Sequence, residues 1–399
     1  MKVLISCFLL LGSIITSAQR QCFTPVNSPR LQLPVPNIPA SRRDTLLNEV
    51  ITIPVVIHIL YDDPVHDVSD AAVRSQLKVL NNDFRKLNVD IVSIPAAFTS
   101  RAADPRIIFC IARVDPKGRP TKGIIHKYTH TKVWTADDAM KFSALGGDDA
   151  WDSKHYLNIW VCNLLGRNLG YSSLPGTEGD KDGVVIKAEA FGTLGSLVPF
   201  NMGRTATHEI GHWLGLKHLW GDAECGDDGI TDTPPQQTYN NGCPTFPHTS
   251  RCSVDGSGDM FMNFMDFTDD ACMHMFSGGQ ATKMRSLFSA NGARNSFLKS
   301  SVCDSALAQG MPVPSEIGQK IDVVTLYPNP ATSQITIEDI TKSISGKTLK
   351  IYNMFGLEVL TIKLSSQKNI ILINHLIAGS YIAKIGEGIG STTLRFIKL

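Results

Sequence analysis

The run His208-Glu209-Ile210-Gly211-His212-Trp213-Leu214-Gly215-Leu216-Lys217-His218 concentrates three imidazoles and a carboxylate in one short stretch. Apolar periodicity predicts a helix here, and two histidines four apart on a helix share one face, so both imidazoles can reach one metal ion. Glu209 then stands beside them, placed to take a proton from metal-bound water rather than to bind the metal. Gly215 lets the chain leave the helix and turn sharply, so that His218 returns as a third ligand. Three neutral imidazoles leave the fourth position of a zinc ion to water, whose pKa the metal lowers toward neutrality. The chemistry this points to is hydrolysis of an amide, with Glu209 as general base. A closed structural zinc site needs a fourth protein ligand and has no use for Glu209. A lone histidine pair four apart usually means packing; Glu209, Gly215 and His218 in register with it do not.

The elements that must hold these residues follow from the patterning on either side. Ile51 to Leu60 reads as a buried strand, and Ser69 to Leu87 places apolar residues at helical spacing after a Ser/Asp cap. Further strands are expected over Arg106–Val114, Tyr156–Asn163 and Gly183–Lys187, the last one preceding the histidine helix. This order predicts an α/β (α+β) domain with a mixed twisted sheet over residues 51–305. Residues 306–320 carry Gly310, Pro312, Pro314 and Gly318 and read as a linker. From 321 to 399, short β-like runs at Gln334–Ile337, Leu349–Tyr352, Glu358–Lys363, Asn369–Ile373, Tyr381–Ile385 and Thr392–Phe396 have the rhythm of a small all-β sandwich.

The start of the chain bears on its destination. Lys2 precedes the apolar run Val3 to Ile15, and Thr16-Ser17-Ala18 supplies small residues for cleavage, so residues 1–18 read as an export signal. The run is too short for a membrane anchor, which needs roughly twenty apolar residues. Residues 19–50 are proline-rich and contain Arg42-Arg43; they read as a pro-segment, or as an arm that wraps the domain. With 38 basic and 37 acidic residues the net charge is +1, and nothing in that balance points to nucleic acid or an anionic membrane. Cys7 leaves with the signal, so eight of the nine cysteines enter an oxidising compartment where disulfides are expected. Cys110 and Cys162 lie in apolar strands and read as packed thiols.

His208 to His218 resembles the extended zinc signature of metzincin metallopeptidases, and Asn263-Phe264-Met265-Asp266-Phe267-Thr268 resembles their methionine turn. Within that group the wording is most similar to the pappalysin family, which has bacterial and archaeal members such as ulilysin. The likeness extends from about Ile51 to Phe297, with supporting phrases at Phe109-Cys110-Ile111-Ala112, Leu157-Asn158-Ile159-Trp160 and Asp182-Gly183-Val184-Val185. The resemblance implies that Met265 supports the three histidines from below, and that disulfides pair Cys225 with Cys252 and Cys243 with Cys272. It also implies that Cys22, in the pro-segment, can occupy zinc's fourth position and hold the enzyme latent; the alternative for Cys22 is a disulfide with Cys303. Asp227, Asp228, Thr231 and Asp232 form an acidic loop that either supplies calcium ligands or is a solvated turn. Asp269 and Asp270 fall where metzincins build the primed-side pocket; they read either as an acidic wall that favours a basic side chain, which would make Arg42-Arg43 a self-processing site, or as helix-capping or surface carboxylates. Phe267 departs from the family, which usually has tyrosine there. Losing one polarising hydroxyl slows turnover by at most about two orders of magnitude, unless His274 or Tyr171 substitutes.

Leu326-Tyr327-Pro328-Asn329-Pro330, Leu349-Lys350-Ile351-Tyr352-Asn353, Gly379-Ser380-Tyr381 and the terminal Phe396-Ile397-Lys398-Leu399 resemble the sorting domains of type IX secretion in Bacteroidetes. That resemblance makes residues 321–399 an address read by the export machinery. A sugar-binding module is the competing reading, but no row of aromatics is apparent. The expectation is therefore a zinc-dependent endopeptidase, secreted or attached to the cell surface, acting on peptides or proteins. Its rival is a catalytically silent, metal-containing binding protein.

Overall fold

The computed structural model describes residues 20–24, 49–177, 179–253, 256–303, 324–339, 344–353, 357–386 and 392–399. The expected export signal at 1–18, most of the expected pro-segment and the linker at 306–320 lie outside the described residues. The chain splits into two compact units between Gly310 and Met311.

In the first unit the strands are β1 (Gln21–Cys22), β2 (Ile51–Tyr61), β3 (Ala102–Ala103), β4 (Ile107–Ile111), β5 (Ile124–Tyr128), β6 (Leu157–Cys162), β7 (Asn168–Ser172), β8 (Val184–Lys187) and β9 (Phe276–Ser277). The α-helices are α1 (Asp70–Asp83), α2 (Ala96–Thr99), α3 (Arg204–Trp213) and α4 (Gly278–Ser286). A seven-stranded sheet runs β1-β7-β8-β6-β2-β4, with β5 also paired to β2. All its pairings are parallel except β7 with β8, so the sheet is mixed, as expected. β2 is the central strand: β6 covers one side, while β4 pairs with Ile51–Val55 and β5 with Ile57–Tyr61 on the other. Burial on both faces explains why its sequence is an almost continuous apolar run rather than an alternating one.

Two helices cover this sheet through one apolar core. Val73 and Leu80 of α1 and Ile210 and Trp213 of α3 pack with Ile53, Val55, Ile57 and Ile59 of β2. Helix α1 begins where Ser69 accepts a hydrogen bond from Ala72 N, a side-chain N-cap. It ends at Asp83, four residues before the expected Leu87. At the start of α3 the Arg204 guanidinium pairs with Asp83, and Thr207 Oγ1 donates to Asp83 Oδ2 at 2.6 Å. Burial, opposed by Arg204, pushes the Asp83 carboxyl up to about 6. This buried pair ties the first turn of the histidine helix to the end of α1.

The second unit is all β, with β10 (Val324–Tyr327), β11 (Gln334–Asp339), β12 (Thr348–Asn353), β13 (Glu358–Lys363), β14 (Lys368–Leu372), β15 (Gly379–Ile385) and β16 (Thr392–Lys398). They form sheets ordered β10-β11-β14 and β13-β12-β15-β16, antiparallel throughout. Ile335, Ile337 and Ile371 of the first share one core with Leu349, Ile351, Tyr381 and Phe396 of the second, which makes the unit a sandwich.

Candidate metal centre

Helix α3 delivers His208 and His212 to one face, and the chain leaves it at Gly215, whose φ of +83° suits glycine in particular. That turn brings His218 back against them. The three Nε2 atoms lie 3.1 Å (His212 to His208), 3.0 Å (His212 to His218) and 3.3 Å (His208 to His218) apart. Each Nδ1 faces an outward acceptor: His208 Nδ1 donates to Phe264 O at 2.7 Å, His212 Nδ1 to Leu216 O at 2.9 Å, and His218 Nδ1 to Asp222 Oδ1 at 2.6 Å. With the outer nitrogen carrying the proton, each Nε2 presents a bare lone pair, and three lone pairs converge. Among the described residues no cationic side chain meets these lone pairs, whereas a divalent cation would satisfy all three. The residues therefore fit the zinc expected of them, with the outer acceptors fixing tautomer and ring orientation. Burial, and then the neighbouring imidazoles, hold His208 and His212 well below the usual histidine range, which keeps them neutral and able to ligate.

Beneath the helix the close approach of Met265 is steric. A Cβ at Gly211 would lie 2.5 Å from Met265 Sδ. Met265 is completely buried, and its backbone N–H donates to Asn263 Oδ1 at 2.9 Å. Phe267 lies on the other side of the turn, with its ring centroid 4.8 Å from His218 and 5.6 Å from His208.

The Arg20–Thr24 segment, within the expected pro-segment, reaches the same point. β1 adds to the sheet edge at β7, pairing Gln21 with Asn168 and Cys22 with Gly170. The Cys22 sulfur joins the three histidine nitrogens in a group whose ligand atoms all lie within 4.8 Å of one another. Cys22 Sγ also lies 3.4 Å from Glu209 Oε2, which accepts a further hydrogen bond from Thr24 Oγ1 at 3.1 Å. Burial, opposed by these two bonds and by Arg20, pushes the Glu209 carboxyl up to about 7. Burial, then Glu209, holds the Cys22 thiol well above its ordinary range. Two residues earlier, the Arg20 guanidinium pairs with Asp270 and sits 5.1 Å over the Phe200 ring. Asp270 Oδ2 accepts from Met202 N at 2.8 Å and Arg204 N at 3.1 Å, so this fully buried carboxylate is fixed before any cation arrives. Asp269 is only partly buried and makes no direct pair with Arg20.

Comparison with known proteins agrees with this geometry. Residues 145–289 match the family described as pregnancy-associated plasma protein-A, and residues 325–399 match the secretion system C-terminal sorting domain. An extracellular metalloprotease of Arthroderma gypseum is 31% identical over 252 residues, which is 60% of this chain and 72% of that protein. The chain belongs to the pappalysin family of metallopeptidases. Extracellular metalloprotease 1 of Coccidioides posadasii is 37% identical over 39% of this chain and 56% of its own length. The chain spans about half the length of several such curated extracellular metalloproteases. Among solved structures, a Tannerella forsythia promirolysin mutant superposes with a TM-score of 0.64 at 42% identity, covering 70% of this chain and 97% of that one. Mature mirolysin with a cleaved peptide gives 0.62 at 46%, covering 63% and 96%. The sorting-domain match and the extracellular relatives mark this pappalysin as secreted or surface-located. No helix among the described residues is long and apolar enough to cross a membrane.

Around the pappalysin signature, disulfides join Cys225 to Cys252 and Cys243 to Cys272. A third joins Cys110 to Cys303. This corrects two expectations: Cys110 is not a packed thiol, and Cys303 is not available to Cys22. Cys162 is free and buried. In the acidic loop, Asp228 accepts from Ile230 N and Thr233 Oγ1, Asp232 from Ser277 Oγ and Gly279 N, and Asp227 from Gly229 N; Thr231 is exposed. These carboxylates face separate partners. The two residues expected to stand in for a missing hydroxyl also point elsewhere: Tyr171 OH donates to Asp138 Oδ1 at 3.1 Å, and His274 Nδ1 lies 3.3 Å from Asp90. Sequence reasoning misses Arg20, Thr24 and Asp222. Asp222 alone leaves a signal, a carboxylate four residues after the third histidine.

Proposed function

We propose that this chain is an exported zinc endopeptidase, made as a latent precursor, in which Glu209 is the general base and Asp270 selects a basic side chain on the primed side of the cleaved bond. The observation that carries this reading is the convergence of three outward-anchored Nε2 atoms beside one buried carboxylate. His208, His212 and His218 hold the zinc, which when bound supplies Lewis-acid activation of water and of the scissile carbonyl. Glu209 sits one residue after the first ligand, where its carboxylate accepts a proton from the attacking water and returns it to the leaving amine. With the Arg20–Thr24 segment seated, burial holds this carboxyl up at about 7; departure of that segment and a bound cation would both favour the ionised form that takes the proton. An extended peptide docks by adding to an exposed sheet edge, and β7 offers that edge once β1 departs.

In the precursor, Cys22 takes the remaining ligand position, Thr24 ties down Glu209, and Arg20 fills the pocket of Asp270. Burial and Glu209 favour the neutral thiol of Cys22; with zinc in place Cys22 would serve as a thiolate ligand. One segment thus covers metal, base and specificity pocket together. The C-terminal sandwich serves as the address for the type IX secretion machinery and takes no part in hydrolysis. The Asp227–Asp232 loop is proposed to bind calcium, for which Asp227, Asp228 and Asp232 would supply oxygen ligands. The test is cleavage of a diverse peptide library by the matured, zinc-loaded protein, with and without a chelator. Cleavage ahead of arginine or lysine that disappears on chelation supports the reading; a zinc-loaded, matured protein that cleaves nothing refutes it in favour of a silent binding protein.

A further inference from the structure

Hydrolysis of an amide builds negative charge on the carbonyl oxygen, and a preorganised donor aimed at that oxygen is a large share of catalysis. Around this metal centre most aromatic walls offer no such donor. Phe267 presents only carbon. Trp220 lies flat on His218, with centroids 4.5 Å apart and planes 2° from parallel. Tyr171 gives its hydroxyl to Asp138, and His274 faces Asp90.

Tyr239 differs in each respect. Its ring packs on Phe267, with centroids 5.4 Å apart, and edge-on against Trp220 at 5.7 Å. It is only partly buried, and its hydroxyl has no hydrogen-bond partner among the described residues. With Phe267 it lines a cleft of about 270 Å³ whose other walls are Arg20, Gln21, Cys22 and Phe23. Its position is fixed from both sides by the methionine turn. Asp266 Oδ1 accepts from Asn240 N at 2.8 Å, and Asp266 Oδ2 accepts from Asn240 Nδ2 at 2.7 Å and Gln236 Nε2 at 3.0 Å. A phenol held by the turn beneath the ligands, facing the space the pro-segment fills, and owing its hydroxyl to no structural bond has the properties of a donor kept for substrate.

We propose that Tyr239 is a catalytic residue of this site. With the pro-segment gone, its hydroxyl donates a hydrogen bond to the scissile carbonyl oxygen as that oxygen gains charge; no proton is transferred. The proposal rests on the hydrolytic function above, and the experiment separates the two. Tyr239→Phe keeps the ring and removes only the donor. Its kcat is expected to fall about tenfold to a hundredfold with KM changed less than about twofold. Zinc content and thermal midpoint stay at the wild-type values. A phosphinic pseudopeptide, whose tetrahedral oxygens mimic the charged centre, is expected to bind the variant weaker by a similar factor, read by calorimetry. Wild-type kcat and wild-type phosphinate affinity in the variant overturn the role of Tyr239 and leave the peptidase reading intact. A wild-type protein without turnover sinks the peptidase reading, and the phosphinate comparison still decides whether Tyr239 donates to a tetrahedral oxygen.

Discussion

Thr24 Oγ1 donates to Glu209 Oε2 at 3.1 Å and accepts from Ser172 N at 2.8 Å, so one hydroxyl of the Arg20–Thr24 segment bridges the Glu209 carboxyl and β7. Together with Cys22 against the three histidines, it is the contact on which the proposed latency rests, with Cys22 at the metal's remaining position and Thr24 on the proposed base. Cys22→Ser removes the thiolate and leaves Thr24 in place. The variant precursor is expected to cleave peptide without maturation, at a rate above the wild-type precursor and below the mature enzyme. A precursor that stays as silent as wild type contradicts a ligand role for Cys22.

The Arg20 guanidinium on Asp270 gives the specificity prediction. Asp270→Asn keeps the cap on Met202 N and Arg204 N but loses the charge. Discrimination for an arginine substrate over its leucine counterpart is expected to drop by roughly 2–3 kcal/mol, or about 30-fold to 160-fold in the ratio of kcat/KM. An unchanged ratio places the basic pocket elsewhere.

How much of this is legible in the sequence depends on the range of each contact. His208, Glu209, His212 and His218 share one helix and one turn, so their spacing alone carries the geometry. β2 and β6 are legible because buried central strands must be apolar throughout. The pairing of Arg20 with Asp270 spans 250 residues, and that of Cys110 with Cys303 spans 193, and no local pattern encodes either. β7, Asn168–Ser172, has two polar residues and a glycine; only its place at the sheet edge makes it a strand.

The Cys110 to Cys303 disulfide ties β4 to the last described residue of the first unit. Closing so long a loop restricts the unfolded chain, so Cys110→Ser with Cys303→Ser is expected to lose roughly 2–5 kcal/mol of stability. The measurement is chemical denaturation under non-reducing conditions. Full zinc content and kcat should persist below the transition; a double variant as stable as wild type contradicts the pairing.

Burial pushes the Asp228 carboxyl up to about 7 in spite of bonds from Ile230 and Thr233. Its ordinary value is 3.8, so the folded protein holds this proton longer than the unfolded chain does. The stabilisation is full below the unfolded value and is lost as pH rises from about 4 to about 7. Asp228→Asn is expected to flatten that decline in a calcium-free thermal-midpoint series. Millimolar calcium should flatten it in wild type as well, because a bound cation favours the ionised form. A wild-type slope indifferent to calcium contradicts calcium binding by this loop.

The central claim is that Glu209 performs proton transfer at a metal held by the three histidines alone. Its most direct test is the matured Glu209→Gln variant, measured for zinc content by elemental analysis and for cleavage of the best library peptide. The variant is expected to hold one zinc per chain, as in wild type, with turnover lost by several orders of magnitude. A variant that keeps both its zinc and its turnover would contradict it.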